Sequence, residues 1–323
     1  MKIALIGVGK IALDQHVPAI AESPDWDLAA TFSHHGSVDG VPSYDSVERL
    51  LDERDDVEAL AICVPPTARF ALAAAALRAG RHVMLEKPPG ATISECFALR
   101  DLAESAGGSL FATWHSREAD QVAPAKAWLS DKTLTRMHID WREDARQWHP
   151  GQTWIWEPGG MGVFDPGINA LSIVTEILPD PIHLTAAELT FPSNCGAPSE
   201  ARLRFAHPGG AEATAEMDFL AEGPPTWTIH LETTAGTATL SDGGARLSID
   251  GVEQPAPEAS GLFAGREGAA PIGREYPRLY AKFAALAARG GVDMDLAPMA
   301  HVVDAFALGR RVEGPAFHDP ALG

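Results

Sequence analysis

Short apolar runs at residues 2–6, 28–32, 58–64, 82–86 and 109–113 alternate with stretches of helical periodicity. That alternation predicts βαβ units on a parallel sheet. The intervening helices carry their own punctuation: Thr92-Ile93-Ser94-Glu95 reads as a capping box, Gly107 as a stop, and Gly80 as the end of an alanine-rich helix from about Thr67. Beyond residue 118 the pattern changes to a helix reaching about residue 130, a strand near 135–141, an aromatic loop and a helix near 162–178. From residue 183 the chain becomes strand-like. Segments such as Thr226-Trp227-Thr228-Ile229-His230-Leu231-Glu232 alternate apolar and polar positions, and turns at Pro208-Gly209-Gly210, Gly223-Pro224-Pro225 and Asp242-Gly243-Gly244 separate them. The expectation is an antiparallel sheet with one covered face. Residues 276–289 and 299–310 read as helices and 251–273 as a long loop rich in Gly, Pro and Ala, with no internal repeat.

Composition narrows the possible partners. With 323 residues and 46% hydrophobic content, the chain has material for about two cored domains. Its 25 Lys and Arg face 44 Asp and Glu, and a net charge of −19 repels both a phosphate backbone and an anionic leaflet. Nucleic acid and membrane are therefore not expected as partners. Three cysteines, Cys63, Cys96 and Cys195, are widely spaced without a C-x-x-C pair, so neither a disulfide framework nor a metal site is expected. The first residues have too short an apolar run for a secretory leader, and a cytoplasmic location is expected.

Gly7-Val8-Gly9-Lys10-Ile11-Ala12 follows the first apolar run directly and opens a helical pattern. In that context glycines permit a tight turn and close approach of the backbone to a pyrophosphate, while the helix start supplies amide donors. Gly7, Gly9, Lys10 and Ile11 are accordingly expected at a dinucleotide. The second apolar run ends in Ser33-His34, with no carboxylate to grip a ribose 2′-hydroxyl, which favours NADP with NAD also accepted. The third ends in Val64-Pro65-Pro66-Thr67, of which Val64, Pro65 and Thr67 are expected to line the nicotinamide ribose.

Glu86-Lys87-Pro88-Pro89 ends the fourth run, placing Glu86 and Lys87 at the same carboxyl edge, where both are expected to contact the cofactor. Downstream, Asp165-Pro166-Gly167-Ile168-Asn169 sets Asp165 and Asn169 four apart on one helical face, with Asp165 at or near the cap. These motifs together resemble the glucose-fructose oxidoreductase/inositol dehydrogenase (Gfo/Idh/MocA) family over essentially the whole chain. Many relatives carry a histidine where Asn169 stands, and asparagine cannot act as a general base. Thr113-Trp114-His115-Ser116-Arg117-Glu118-Ala119, Trp148-His149-Pro150-Gly151-Gln152 and Glu157-Pro158-Gly159-Gly160 are most similar to the D-galactose/L-arabinose 1-dehydrogenase branch of that family.

The resemblance implies an α/β chain. Residues 1–118 would form a dinucleotide-binding Rossmann domain on a doubly wound parallel sheet. Residues 119–323 would form an α+β domain with a large, mostly antiparallel open sheet for substrate binding and oligomerisation, its C-terminal helices able to pack back on the first domain. It also implies oxidation of an aldose pyranose at its anomeric carbon to the lactone by NAD(P), in a homodimer or higher oligomer.

The residues suit that chemistry. Oxidising a hemiacetal needs a hydride acceptor on one face of the anomeric carbon and a base for the hydroxyl proton. Asp165 is the expected base, Asn169 an orienting group and Lys87 a donor to the developing alkoxide, with Lys87 as base left open. Trp148, His149 and His115 are expected to contact the sugar, with Trp227 a further candidate. A site that reads ring hydroxyls would accept both D-galactose and L-arabinose, which differ only by a hydroxymethyl group.

Overall fold

The computed structural model describes residues 1–34, 36–255 and 274–322. They fall into two compact units. One comprises Met1–His115 with the helix Glu275–Arg289 and the strand Val292–Asp293, and the other runs on from Ser116 and includes the chain from Ala297 onward.

The first unit contains β1 (Lys2–Ile6), β2 (Asp27–Phe32), β3 (Ser43–Tyr44), β4 (Ala59–Ile62), β5 (His82–Glu86) and β6 (Leu110–Thr113). Across the sheet the order is Val292–Asp293, β6, β5, β4, β1, β2, β3, and every pairing is parallel. All carboxyl ends therefore share one edge, with the order reversing beside β1, where such sheets bind ligands. Side chains alternate between two cores. Ile3, Leu5, Ala61, Met84 and Phe111 pack with Ile20, Tyr280 and Phe283 on one face, while Ile6, Leu60, Ile62, Val83 and Leu85 pack with Leu50, Leu77 and Leu99 on the other. Burial on both faces explains why these strands read as unbroken apolar runs.

The local punctuation is as expected. The Thr92 hydroxyl accepts a hydrogen bond from the Glu95 amide, and the Glu95 carboxylate accepts one from the Thr92 amide, starting the helix Ile93–Ala106. Gly107 ends it in the left-handed conformation, at φ 74°.

The second unit carries β7 (Leu134–Arg142), β8 (His183–Pro192), β9 (Glu200–Ala206), β10 (Glu212–Asp218), β11 (Thr226–Thr233), β12 (Gly236–Ser241), β13 (Arg246–Ile249) and β14 (Val252–Glu253). With Arg310–Gly314 they form a nine-stranded sheet in the order β14, β13, β12, β11, β7, β10, β9, β8, Arg310–Gly314. It is mostly antiparallel. The pairs β7 with β10 and β8 with Arg310–Gly314 are parallel. The helices Val122–Leu129, Phe164–Ile177 and Ala297–Leu308 pack with this sheet and with each other. Met137, Ile139, Ala215, Met217, Ile229 and Leu231 are buried. The alternate positions hold ion pairs instead: Arg136 with Glu212 and Glu232, and Arg142 with Asp140 and Glu216.

Two expectations need correction. Val252–Glu253, within the expected loop 251–273, pairs with β13, and residues 256–273 lie outside those described. The last long helix spans Ala297–Leu308, and Arg310 begins a strand rather than ending that helix. Asp165 lies near the helix start, as expected, rather than at the cap itself. Its amide already donates to the Gly162 carbonyl at 2.9 Å and the cap position falls at Val163, so a tight turn before Phe164 places Asp165 inside the first turn. Among the described residues no helix is long and apolar enough to cross a membrane.

Replacing Thr92 by Ala removes the cap acceptor and is expected to cost about 1 kcal/mol of unfolding free energy. Denaturant titration reads this directly, and turnover per folded molecule should not change.

Candidate active site

At the carboxyl edge of the parallel sheet, the chain leaves β1 through Gly7 at φ +88°. A Cβ there would stand 2.7 Å from Val64 Cγ1 and 2.9 Å from Val64 N, so both conformation and space require glycine. Around Gly9 the opposite holds: nothing lies within 4 Å of where a Cβ would be. The helical run begins at Lys10, and the first amides of a helix lack acceptors of their own. An open space at such a start fits a dinucleotide pyrophosphate. Lys10 and Ile11 are exposed, and Lys10 pairs with Asp14.

The remaining expected cofactor contacts lie along the same edge. Ser33 is half-buried at the tip of β2, and exposed His34 sets its ring edge-on to Phe32 at 5.2 Å. The loop returns against the fingerprint, because a Cβ on Gly36 would strike the Val8 carbonyl. Val64 is half-buried, while Pro65 and Thr67 are exposed about the start of the helix Pro66–Arg78. Lys87 is half-buried after β5.

Beneath Lys87 lies a buried polar cluster whose partners sequence reasoning missed. Glu86 Oε1 accepts from Tyr276 Oη at 2.8 Å and from His16 Nε2 at 3.1 Å, and Oε2 accepts from the Lys87 amide at 2.9 Å. His16 Nδ1 is hydrogen-bonded with Tyr280 Oη at 2.8 Å. Burial opposes charge on both members of the His16–Glu86 pair. For His16 it is outweighed by Cys63, Tyr280 and Glu86, which hold the imidazole well above its ordinary value. For Glu86 it is outweighed by the hydrogen bond and charge of His16, then by His115 and Arg69, which keep the carboxyl below the usual carboxylate range. His115 bonds Glu275 through Nδ1 at 2.8 Å and stacks on Tyr276 at 5.7 Å.

The second unit gathers a different set. Asp165 is buried in the first turn of Phe164–Ile177, with half-buried Asn169 one turn on. This helix start approaches β10 closely, since a Cβ on Gly167 would meet Met217 Sδ at 2.5 Å. Asp165 Oδ2 lies 3.7 Å from His149 Nδ1, and His149 Nε2 lies 3.6 Å from Glu143 Oε1. These are ion-pair distances, longer than hydrogen bonds. The other oxygen of Glu143 accepts from Trp227 Nε1 at 2.7 Å, and Trp227 is 5.3 Å from the Trp148 ring. The Trp148 indole nitrogen is buried without a hydrogen-bond partner among the described residues. The structure thus brings Asp165, His149, Trp148 and Trp227 together and adds Glu143, which the sequence reading did not single out. His115 belongs to the first unit.

A doubly wound parallel sheet, a glycine turn opening a helix at its carboxyl edge and a lysine at the same edge define a nucleotide-dependent oxidoreductase. Residues 1–113 match the oxidoreductase family with an NAD-binding Rossmann fold, and the chain belongs to this Gfo/Idh/MocA family. Among its relatives, galactose 1-dehydrogenase of Pseudomonas fluorescens is 42% identical over 321 residues, covering 99% of each chain. The crystal structure of D-galactose-1-dehydrogenase from Rhizobium etli superposes with a TM-score of 0.90 at 48% identity, covering 98% of this chain and 97% of that one. A 3-ketoreductase from Actinomadura kijaniata, solved with NADP and TDP-benzene, shares the fold at a TM-score of 0.78 and 18% identity, covering 98% of this chain and 99% of that one.

The His16–Glu86 pair makes a signed prediction. His16 is raised, so its contribution is complete below the ordinary value of 6.5 and is lost as pH climbs toward its folded-state value. Glu86 is lowered, so its contribution is present above the ordinary 4.5 and is lost as pH falls. The stability lost in His16→Gln should therefore be greatest between about pH 4.5 and 6.5, on the order of 3 kcal/mol, and shrink at higher pH. Urea titrations of both proteins at pH 6 and pH 9 check it; an equal loss at both values contradicts the charged pair.

Proposed function

We propose that the chain oxidises an aldose at its anomeric carbon to the aldonolactone, with NADP as hydride acceptor and NAD also accepted. The observation that carries this reading is the buried Asp165 carboxylate beside His149, next to the indoles of Trp148 and Trp227. Indole faces suit the apolar face of a pyranose ring, and fixed donors and acceptors suit its hydroxyls. Relatives at 42% and 48% identity are galactose 1-dehydrogenases, which supports D-galactose as substrate; L-arabinose follows from its shared ring stereochemistry.

When bound, the nicotinamide supplies the hydride acceptor. Asp165 removes the proton of the anomeric hydroxyl while the C1–H electron pair departs as hydride and the C1–O bond becomes the lactone carbonyl. Lys87 donates to the oxygen as it gains charge, and Asn169 orients the ring. Gly7, Gly9 and the first helical turn hold the pyrophosphate, and Ser33 and His34 meet the ribose 2′-phosphate. The charge-paired sheet face of the second unit is the surface through which a second copy would form a homodimer. Cysteines 63, 96 and 195, which form no disulfide among the described residues, accord with a cytoplasmic location.

Absorbance of reduced nicotinamide over a panel of aldoses tests the reading. D-galactose and L-arabinose should turn over well and D-glucose poorly, since an inverted hydroxyl leaves a buried polar group unpaired. No turnover with any aldose would overturn it. Asp165→Asn keeps size and polarity but removes the base, and turnover should fall by about 10²–10⁴-fold with little change in melting temperature. Cofactor choice is tested separately: wild-type kcat/KM should be at least as high with NADP as with NAD, and Ser33→Asp should shift preference toward NAD. A strong wild-type preference for NAD contradicts the assignment of Ser33 and His34.

A further inference from the structure

The face of the parallel sheet that carries Glu86 is otherwise an apolar core of Ile3, Leu5, Met84, Phe111, Leu279 and Phe283. A buried charged cluster in such a core is a poor way to gain stability, because apolar residues of the same volume serve as well or better. Its members come from three elements distant in sequence: Glu86 ends β5, His16 lies just past the fingerprint, and Tyr276 and Tyr280 stand one turn apart on Glu275–Arg289. The backbone changes to admit it. Ala12–His16 is a π-helical turn, a form that appears mostly as single insertions at functional sites, and fully buried His16 closes it.

What the cluster holds is the peptide around Lys87. Glu86 Oε2 accepts from the Lys87 amide at 2.9 Å, and buried Arg69 donates through Nη1 to the carbonyls of Glu86 and Pro88 on either side. Arg69 also donates through Nε to the Val64 carbonyl at 2.7 Å, joining the ends of two neighbouring strands. The main chain is thus fixed before, at and after a residue whose side chain is only half-buried.

We propose that the buried Glu86–His16–Tyr276 cluster, with Arg69, is a positioning device for Lys87 that ties the lysine's placement to the fingerprint helix. Glu86, His16, Tyr276 and Arg69 are positioning residues and do not touch the reacting oxygen, which Lys87 meets. The inference rests on the dehydrogenase reading for its kinetic consequence but not for its structural one.

Glu86→Gln and Tyr276→Phe test it against Trp26→Phe as control. Trp26 donates to the Tyr280 carbonyl at 2.9 Å and stacks on Phe283, so its loss loosens the same helix while keeping every side-chain hydrogen bond of Glu86, His16 and Tyr276. With D-galactose, Glu86→Gln should lower kcat by about 10²-fold and Tyr276→Phe by about tenfold. The isotope effect from C1-deuterated galactose should rise in both, while the NADP dissociation constant stays within about threefold. Trp26→Phe should lower only the melting temperature. If Glu86→Gln does not fold, Tyr276→Phe, which keeps its ring, carries the test. Amide hydrogen exchange of the segment containing Lys87 gives the structural arm in the NADP-loaded protein: it should quicken by about tenfold or more in Tyr276→Phe and not in Trp26→Phe. Normal kcat, or unchanged exchange at Lys87, overturns the proposal. Quickened exchange in a protein whose wild type turns over no aldose leaves the clamp standing and removes the dehydrogenase reading instead.

Discussion

A carboxylate withdrawn from water must be met by donors on every side, and Glu86 is met by an imidazole, a phenol and a backbone amide. Satisfying it fixes three things in the first unit at once. The fingerprint helix must bring His16 inward, β5 must end where Lys87 can donate its amide, and Glu275–Arg289 must return across the whole chain to supply Tyr276 and Tyr280. The same helix contributes Leu279, Phe283 and Leu286 to the core beneath the sheet. Each such side chain stabilises by about 1.5–3 kcal/mol when fully buried, so apolar burial supports the geometry that the polar cluster specifies.

The second unit solves a different problem with a different sheet. Its strands put apolar side chains inward and charged ones at the alternate positions. Near the ends of β7 and β11, Glu143 and Trp227 meet, and the helix that begins at Phe164 sets buried Asp165 near His149. Glycine at position 167 lets this helix start lie against Met217. Carboxylates, an imidazole and indoles are the groups that proton removal from a hydroxyl and recognition of a sugar ring require. The first unit, in contrast, presents an open helix start and a clamped lysine.

What was legible in the sequence is what short-range chemistry specifies. Apolar runs placed β1, β2, β4, β5 and β6, the Thr92–Glu95 box started its helix, and Gly7 and Gly9 marked the turn. Lys87, Asp165, Trp148 and His149 stood out because their residue types were unusual for their local setting. Glu143 did not, since its worth depends on β11 lying beside β7 with Trp227 opposite Trp141, a register no local pattern encodes. The Glu86 cluster was hidden for the same reason: His16 and Tyr280 are 264 residues apart, and nothing near His16 marks it as buried. Asp165 was placed near its helix start but not to the residue. Asp followed by Pro satisfies the local cap rule, but the turn through Gly162 begins the helix earlier and puts Asp165 in the first turn.

The central claim is that hydride leaves the anomeric carbon of an aldose for the nicotinamide while a carboxylate of this chain takes the hydroxyl proton. Its most direct measurement uses D-galactose deuterated at C1 with oxidised NADP, and mass analysis of both products. The account predicts one deuterium per reduced nicotinamide, none washed into solvent, and a lactone that carries no deuterium at C1. Reduced cofactor formed without the label, or deuterium retained in the sugar product, would contradict it.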